Sequence, residues 1–369
     1  MRLFQNSSLY PSYRPRLQSL SADASSFSDL MGVFFADRYG IAHVLQPVLQ
    51  GHPDAFFTNG DVLHVQRAWA REHGMPSDAG KEAILLAQIE DHRTEVFYNL
   101  DPMTFPGSFT KRLPGSVKCS IAWRAAPSGS TNFQGYDAMV SNFPGILQGY
   151  RKAGLRACYF FPAYDPEMNV YAQNTDRPID IIFVGSFSRH HARRTEILKA
   201  VAGLSSKARV AIHLERSRFT ELAESALGRW VIPAKYARPA VLRRVTQPPV
   251  FGRDLYQVMS RAKIVVNAAI DMAGKDRGNI RCFEAMGLGA ALVTDSGDYP
   301  QGMVDAATMR TYGNLEELVA TLESLLAAPA MCTALAQRGH AMVSTEYSKA
   351  RQWEAFQALV ADLGAGVPR

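Results

Sequence analysis

The sequence predicts an α/β protein of two doubly wound domains, for three reasons. Its 369 residues exceed the usual size of a single hydrophobic core. Short apolar strands alternate with amphipathic helices, and this alternation restarts after a polar, proline-containing stretch near residues 162–178. We therefore expect an N-terminal domain over 1–172, a C-terminal domain over 173–345 and a last segment over 346–369.

Strand patterns in the first half are short and end in polar or turn residues. They cover residues 2–5, 55–58, 95–100, 117–123, 136–141 and 157–161. Helical apolar spacing lies between them, over 30–49, 62–72, 81–90 and about 144–153. This alternation predicts a parallel sheet with helices on both faces.

The second half opens with a nearly continuous apolar strand over 179–185, which ends in glycine. A loop over 186–194 follows it. Further strands are predicted over 209–214, 263–269, 290–295 and 309–312. Helices are predicted over 195–204, 254–261, 280–288, 315–327, 330–342 and 347–363.

The composition, 47% hydrophobic and 20% charged, is that of a globular protein in water. A net charge of +6 without a long basic run fits phosphorylated small molecules or an anionic membrane surface. No basic face interleaved with aromatics is visible, so we expect no nucleic-acid partner. No signal-peptide core or long apolar span occurs, which favours a cytoplasmic protein and leaves attachment to the inner membrane face open.

Residues 276–290 combine charged side chains with a predicted helix start between two apolar strands. The charged or polar residues that crowd this start are Asp276, Arg277, Asn279 and Arg281. Free backbone N–H groups and the helix dipole favour an anion there, and two arginines indicate a phosphate or diphosphate. Glu284 lies one turn further in. The alternative is that the acids simply pair with the arginines on a solvated helix.

Other candidate donor-binding residues follow predicted strands. The backbone at Gly185 and Ser186 could approach a ligand closely. Arg189 and Arg194 could neutralise a diphosphate, or belong to a solvated basic loop. Asn267 could bond either the ligand or the loop after it. Four arginines could stabilise a leaving diphosphate without metal, and no Asp-x-Asp metal signature occurs, so we expect no metal and no cofactor.

Asp276 and Glu284 are separated by seven residues, and this spacing resembles the Glu-x7-Glu motif of retaining glycosyltransferases with the GT-B fold. Residues 279–295 resemble the spore-maturation-protein (CgeB-like) branch still more, through an Arg, a Phe-Glu-Ala, a Gly-x-Gly and an apolar strand. The segment from Phe183 to Ser186, Arg194 and the pair Tyr347 and Arg351 match that branch as well. The first half resembles it only in its order of strands and helices.

The resemblance implies a GT-B architecture, two Rossmann-like domains facing a cleft, with a nucleotide-sugar donor in the C-terminal domain. It implies that Glu284 binds the ribose, that Asp276 lies near the donor sugar, and that the last helix crosses back to the N-terminal domain. It further implies a retaining glycosyltransferase. The acceptor, which could be a glycan, a lipid-linked saccharide, a protein or a small molecule, is not indicated.

Catalytic residues in the first half are less defined. In relatives an N-domain histidine contacts the donor sugar, and His92 is the candidate here, although a histidine at a helix end is commonly structural. Asp91, Glu90 and Asp101 are candidate bases for an inverting reaction. The acceptor side could be lined by Asn6, Ser7, Asn59, Asp61, Asn142 and Phe143. Inversion, or a sugar-nucleotide epimerase of the same architecture, is the alternative function.

Overall fold

The computed structural model of the chain describes residues 1–187, 192–216, 218–233, 236–269 and 274–365. The chain divides into two compact units. One holds residues 1–163 and the C-terminal segment from Lys349, and the other holds residues 164–348. Within the described ranges no single helix is long and apolar enough to span a membrane. One consecutive pair, Leu315–Ala327 with Pro329–Gly364, has the length and composition but is bent by 105°.

The first unit is built on a six-stranded parallel sheet in the order β2-β1-β3-β4-β5-β6. Its strands are β1 (Leu3–Ser7), β2 (Ala55–Asn59), β3 (Val96–Asn99), β4 (Cys119–Trp123), β5 (Ala138–Ser141) and β6 (Ala157–Tyr159). Its helices are α1 (Arg14–Leu20), α2 (Phe27–Asp37), α3 (Gln46–Leu49), α4 (Leu63–Glu72), α5 (Lys81–Asp91), α6 (Gly107–Thr110) and α7 (Pro144–Lys152), with a 3-10 turn at Ile41–His43. Strand order reverses beside β1, which pairs with both β2 and β3.

The second unit repeats this plan with the order β12-β11-β10-β7-β8-β9. Its strands are β7 (Ile179–Phe187), β8 (Val210–Arg216), β9 (Thr246–Gln247), β10 (Ala262–Val266), β11 (Ala291–Asp295) and β12 (Arg310–Tyr312). Its helices are α8 (Met168–Ala172), α9 (Ala192–Gly203), α10 (Arg218–Glu224), α11 (Gly228–Val231), α12 (Ala240–Val245), α13 (Gly252–Ser260), α14 (Ile280–Gly287), α15 (Leu315–Ala327) and α16 (Pro329–Glu346), with a 3-10 turn at Leu204–Ser206. The reversal of strand order lies between β7 and β10.

The predicted class, two doubly wound α/β sheets, is confirmed. The apolar run of β7 fits this class. Its residues Ile181, Ile182 and Phe183 are all buried, because helices cover both faces of the parallel sheet. The end of this strand differs from the prediction. Pairing with β8 continues past Gly185 through Ser186 and Phe187, so Ser186 lies inside the strand instead of in the loop after it.

Two other regions differ from what the sequence patterns indicate. The helix predicted over 30–49 is broken, because Arg38 and Gly40 adopt left-handed backbone conformations (φ +64° and +67°) that end α2. The region between β8 and β9 holds three short helices, α10, α11 and α12, that no apolar periodicity had indicated. The division between the units falls at residues 163 and 164, nine residues before the predicted boundary at 172 and 173.

The last helix, α17 (Lys349–Ala365), belongs to the first unit. The buried Lys349 ammonium donates to the carbonyls of Ile41 (2.6 Å) and Val44 (2.7 Å). Phe356 is fully buried, with its ring centroid 5.0 Å from that of Tyr98. These contacts satisfy a buried charge and cover the apolar stripe that the helix carries.

Trp353, the other large aromatic residue of this helix, is only partly buried and stacks on Phe356. We therefore expect Phe356→Ala to lower the free energy of unfolding by about 3–5 kcal/mol, because it removes a buried aromatic ring. Trp353→Ala should cost less. Urea denaturation measures both, with the exposed Glu354→Ala as the control on the same helix. Equal losses for Phe356→Ala and Glu354→Ala would contradict the assignment of the anchor.

Candidate functional site

The candidate site lies at the carboxyl edge of the sheet of the second unit, where β7, β10 and β11 end. Strand order reverses there between β7 and β10, and ligands of doubly wound sheets bind at such switch points. Helix α14 begins beside this edge, after the end of β10. Most of the polar residues predicted from the sequence are brought to this edge by the fold.

Two asparagines connect the end of β10 to the start of α14. The Asn267 carboxamide donates to Asn279 Oδ1 (2.9 Å), and Asn279 Nδ2 donates back to Asn267 Oδ1 (3.2 Å). Asn267 Nδ2 also lies 3.1 Å from the Thr294 hydroxyl on β11. The Asn267 amide is thus bonded within the protein, to Asn279 and Thr294 and not to the described residues 274–277 of the loop that follows it, and a contact with the ligand stays a prediction.

The amide pair leaves α14 without the usual side-chain cap at its N-terminus. Asn279 is the N-cap residue, and an asparagine there ordinarily accepts a hydrogen bond from a backbone N–H of the first turn. Its side chain makes no such capping bond, since it faces Asn267 and Cys282. The first turn of an eight-residue helix therefore keeps N–H groups without a side-chain cap.

Arg277 is held by an acid on the neighbouring strand. Its Nε lies 2.8 Å from Asp295 Oδ2, an ion-pair distance, and both side chains are more than nine-tenths buried. Its Nη1 donates to the carbonyl of Gly274 at 2.8 Å. Asp295 also accepts the backbone N–H of Ala269 at 2.9 Å. The pair fixes the segment before α14 to the ends of β10 and β11.

Arg281 and Glu284 form a second ion pair, on α14 itself. Arg281 Nη1 lies 2.5 Å from Glu284 Oε2, and both side chains are largely buried. Burial raises the pKa of Glu284, and the Arg281 charge opposes the rise without cancelling it. The alternative that the acids pair with the arginines thus holds for Glu284, but in a buried environment and not on a solvated helix.

Arg194 joins the two strands at the switch point. Its Nη2 donates to the carbonyl of Ala268 (2.8 Å), and its Nη1 lies 3.4 Å from the carbonyl of Ser186. The guanidinium is therefore buried between the ends of β7 and β10, and not part of a solvated loop. Arg189 lies outside the described residues.

Asp276 is nearly buried, and its backbone forms an isolated bridge with Asp298. The N–H of Arg277 donates to the Asp298 carbonyl at 2.8 Å. These bonds give the segment before α14 a strand-like anchor. Asp276 and Glu284 thus flank the start of α14, with Asp276 before it and Glu284 one turn inside.

His92 and Asp91 do not belong to a carboxyl edge. Asp91 ends α5 and His92 follows it, before the amino end of β3, where the His92 carbonyl accepts from Arg2 Nε at 2.7 Å. Strand β1 rises ~13 Å from Leu3 to its carboxyl end, so the amino edge that holds His92 is about that far from the carboxyl edge. Burial, helped by the charge of Arg2, lowers the pKa of His92. Its position argues for a structural histidine, and the exposed Asp91 shares the same edge.

The carboxyl edge of the first sheet carries a different polar network. Asn6 Nδ2 donates to Asn99 Oδ1 (2.8 Å), and Asn6 Oδ1 accepts the N–H of Gly60 (2.9 Å). Asp101 follows β3, is buried, and its Oδ2 has no hydrogen-bond partner among the described residues. Burial and the neighbouring Asp101 raise the pKa of Asp61. Among the three candidate bases, only Asp101 lies at this edge.

Two residues of the site were missed. Asp295 ended a predicted strand and had no motif to mark it, although a carboxylate at the end of a parallel strand is itself a signal. Tyr347 had been noted only as a match in the resemblance. Its ring packs on Phe283 of α14, with centroids 5.1 Å apart, and its hydroxyl donates to the carbonyl of Gln301.

The described residues contain no group of three or more His, Cys, Asp or Glu side chains placed to hold a metal ion. The cationic groups of this edge are instead the guanidinium groups of Arg194, Arg277 and Arg281. Metal-independent catalysis stays a prediction.

Comparison with known proteins supports the assignment of the fold. Residues 193–358 match the family model described as glycosyl transferase-like, and no curated protein matches the chain. The chain is similar to the Anabaena protein HepE in complex with UDP and glucose, with a TM-score of 0.61, 10% identity, and coverage of 98% of this chain and 100% of HepE.

Two further solved structures cover 99% of this chain and 99% of their own. A glycosyltransferase from Rickettsia africae has a TM-score of 0.56 and 11% identity. Sucrose-phosphate synthase from Thermosynechococcus elongatus has a TM-score of 0.53 and 10% identity. The predicted GT-B fold is confirmed, and with the family match so is the predicted class of enzyme, a glycosyltransferase.

The buried ion pair between Arg277 and Asp295 can be tested without a ligand. Asp295→Ala should lower the free energy of unfolding by about 3–5 kcal/mol, because it leaves the Arg277 guanidinium buried without its counter-charge. Urea denaturation measures the loss. Asp298→Ala is the control, since it removes an exposed carboxylate from the same segment. If both variants unfold at the same urea concentration, the pair does not stabilise the site.

Proposed function

We propose that this chain is a CgeB-like glycosyltransferase that moves a sugar from a nucleoside-diphosphate donor to an acceptor hydroxyl, with retention and without a metal ion. The donor proposed first is a UDP-sugar, because structures of the similar protein HepE hold UDP with glucose and UDP-glucose. The acceptor is left unassigned.

One observation carries the proposal: the uncapped start of α14 lies among buried arginines. A diphosphate is the ligand that such a place favours, since it can accept several backbone N–H bonds while the helix dipole and the guanidinium charges stabilise it. Arg277, held by Asp295, and Arg194, held by two strand ends, are fixed before any ligand arrives. Such preorganised cations stabilise charge on a leaving group without moving during the reaction.

Glu284 would bind the ribose of the donor. A carboxylate has two oxygens, which suits two neighbouring hydroxyl groups, and Arg281 holds Glu284 Oε2 in place. Hydrogen bonds from neutral hydroxyls to a buried carboxylate are strong because the surroundings are apolar. Asp276 would then lie towards the donor sugar, as the first acid of the spaced pair.

Retention requires that the acceptor attack from the face that the diphosphate leaves. The leaving phosphate oxygen then takes the acceptor proton while the buried arginines stabilise the remaining negative charge. No protein base is needed in this reaction. This fits the structural position of His92 and Asp91 at the amino edge of the first sheet.

An inverting reaction is the second candidate, and a specific observation favours its base. Asp101 Oδ2 is buried without a hydrogen-bond partner among the described residues, at the carboxyl edge where strand order reverses. A carboxylate so placed could accept the proton of an acceptor hydroxyl. Asp101→Asn should abolish turnover in an inverting enzyme and leave a retaining one active.

Glu284→Gln should weaken UDP binding by about 1.5–3 kcal/mol, since it removes the charge from the proposed ribose contact. Calorimetry measures the change, with the exposed Glu316→Gln as control. The affinity of the wild type for UDP should fall as the pH is lowered. The fall should begin above pH 4.5, the ordinary pKa of a glutamate, because burial raises the pKa of Glu284. The Gln variant should lack this dependence.

The stability of the same variant separates binding from folding. A glutamate whose folded pKa is raised adds stability below its unfolded pKa and loses that contribution as the pH rises through the folded pKa. Wherever Glu284 is ionised it therefore does not stabilise the fold, and at such a pH Glu284→Gln should melt no earlier than the wild type. An unchanged affinity for UDP in such a folded variant would remove Glu284 from the donor site.

Turnover should survive EDTA. The arginines at the edge of the second sheet carry the positive charge that a divalent ion supplies in other enzymes. The assay follows release of UDP from UDP-sugars after exhaustive chelation, with and without acceptor mixtures. Loss of turnover that Mg²⁺ or Mn²⁺ restores would exclude the metal-independent mechanism. Conversion of the donor into an epimeric sugar nucleotide, with no acceptor present, would identify the epimerase alternative.

A further inference from the structure

An exposed apolar patch lies on the segment between β8 and β9, far along the chain from α14. We define it by five side chains: Phe219, Leu222, Leu227, Trp230 and Val231. Leu227, Trp230 and Val231 are each more than 80% exposed, and Phe219 is 66% exposed. Isolated apolar residues are normal on a surface, whereas five within thirteen positions make this segment a candidate interaction site.

The segment that displays the patch is folded. Glu224 accepts both Arg238 Nε (2.7 Å) and Arg238 Nη2 (2.6 Å), and this bidentate ion pair is about nine-tenths buried. The N–H of Gly228 donates to the Ser225 hydroxyl at 3.0 Å. A side chain on Gly228 would overlap the carbonyl of Leu222, so the turn between α10 and α11 requires glycine. The apolar side chains are therefore held outward by a defined backbone.

The sequence of the segment that carries the patch is strongly positive. Residues 216–244 contain seven arginines and lysines and two glutamates, an excess of five, whereas the whole chain has a net charge of +6. One of the two glutamates, Glu224, is already paired with Arg238. Arg243 and Arg244 are exposed at the end of α12. Nearly all the excess charge of the protein thus belongs to the segment that carries the patch.

We propose that the patch inserts into the headgroup region of an anionic phospholipid membrane, with the exposed Arg243 and Arg244 of the same segment facing the lipid phosphates. Aromatic and aliphatic side chains beside arginines are the chemistry of peripheral membrane binding. Tryptophan prefers the interface between water and lipid, and each basic side chain near an anionic surface adds attraction.

A second copy of the chain fits the patch less well. Self-docking through it would bring two segments with five excess positive charges each against one another. A nucleic acid would match the charge but leave Leu227, Trp230 and Val231 without an apolar partner. The inference is independent of the glycosyl-transfer reaction, which the second unit would carry out with a donor from solution.

The test is flotation of the full chain with vesicles of equal parts phosphatidylglycerol and phosphatidylcholine, compared with pure phosphatidylcholine. Wild-type protein should bind the anionic vesicles, and added salt should weaken binding. Leu227→Glu and Trp230→Glu should each lower the partition coefficient by about tenfold or more, because a carboxylate replaces an inserted apolar group. Val170→Glu, at a site 71% exposed on α8, is the matched control and should bind like wild type.

Two double variants test how much the basic side chains contribute to membrane binding. Arg243→Gln with Arg244→Gln should lower binding by about thirtyfold, the effect of two basic residues near an anionic surface. Arg67→Gln with Arg71→Gln removes the same charge from the exposed face of α4 and should have little effect. Binding of UDP should be the same in all these variants, so that loss of membrane binding is separate from loss of the donor site.

Three results would overturn the proposal. Wild-type protein could fail to float with anionic vesicles at low salt. Trp230→Glu could bind as well as wild type, which would remove the patch from the interface. Finally, sedimentation could show a wild-type dimer that Leu227→Glu dissociates, which would assign the patch to a second copy of the chain.

Discussion

A reciprocal amide pair between Asn267 and Asn279 fixes the start of α14 against the end of β10. Asn267 is itself held by the Tyr312 hydroxyl, which donates to its carbonyl at 3.0 Å, so the pair rests on the ends of three neighbouring strands. Because the Asn279 side chain is used for this contact, it does not cap the helix. The arrangement exchanges a local capping bond for a tertiary one and leaves the first turn open to an anion.

The buried charges at this edge do not serve stability alone. Desolvation of a charge costs several kcal/mol, and an ion pair such as Arg277 with Asp295 recovers that cost only through good geometry and further hydrogen bonds. Glu284 shows the cost directly, since burial raises its pKa in spite of Arg281. Charged groups held in an unfavourable state and aimed at one helix start are typical of a binding site, where stability is given up for affinity.

Much of the fold and part of the site followed from the sequence. Nearly continuous apolar strands and the helix start between two of them are local patterns, so the sheets and the cluster from Asp276 to Glu284 were predictable. Asp295 was not, because only the pairing of β10 with β11 brings it beside Arg277. The three helices between β8 and β9 have exposed apolar positions, which is the reverse of the pattern on which helix prediction depends.

The position of His92 at the amino edge has a topological reason. In a parallel sheet the helix between two strands runs back across the sheet, so its last residues lie at the amino edge. His92 ends such a helix, whereas Asp101 follows a strand and must lie at the opposite edge. The residue before a strand and the residue after it look alike as polar neighbours in a sequence. Only the direction of the chain tells which of them faces a ligand.

Both units place polar side chains at the carboxyl edge of a parallel sheet, but the two sets of side chains differ. In the second unit the edge presents Arg194, Arg277 and the open start of α14. In the first unit it presents Asn6, Asp101 and Asp61. Asp61 is paired with Arg14 at 2.6 Å, yet burial and the neighbouring Asp101 still raise its pKa. A diphosphate placed beside these carboxylates would meet repulsion, whereas a hydroxyl group would find acceptors for its proton. The uncapped start of α14 therefore favours the second unit as the donor side, whereas the buried Asp101 carboxylate of the first suits a hydroxyl-bearing ligand.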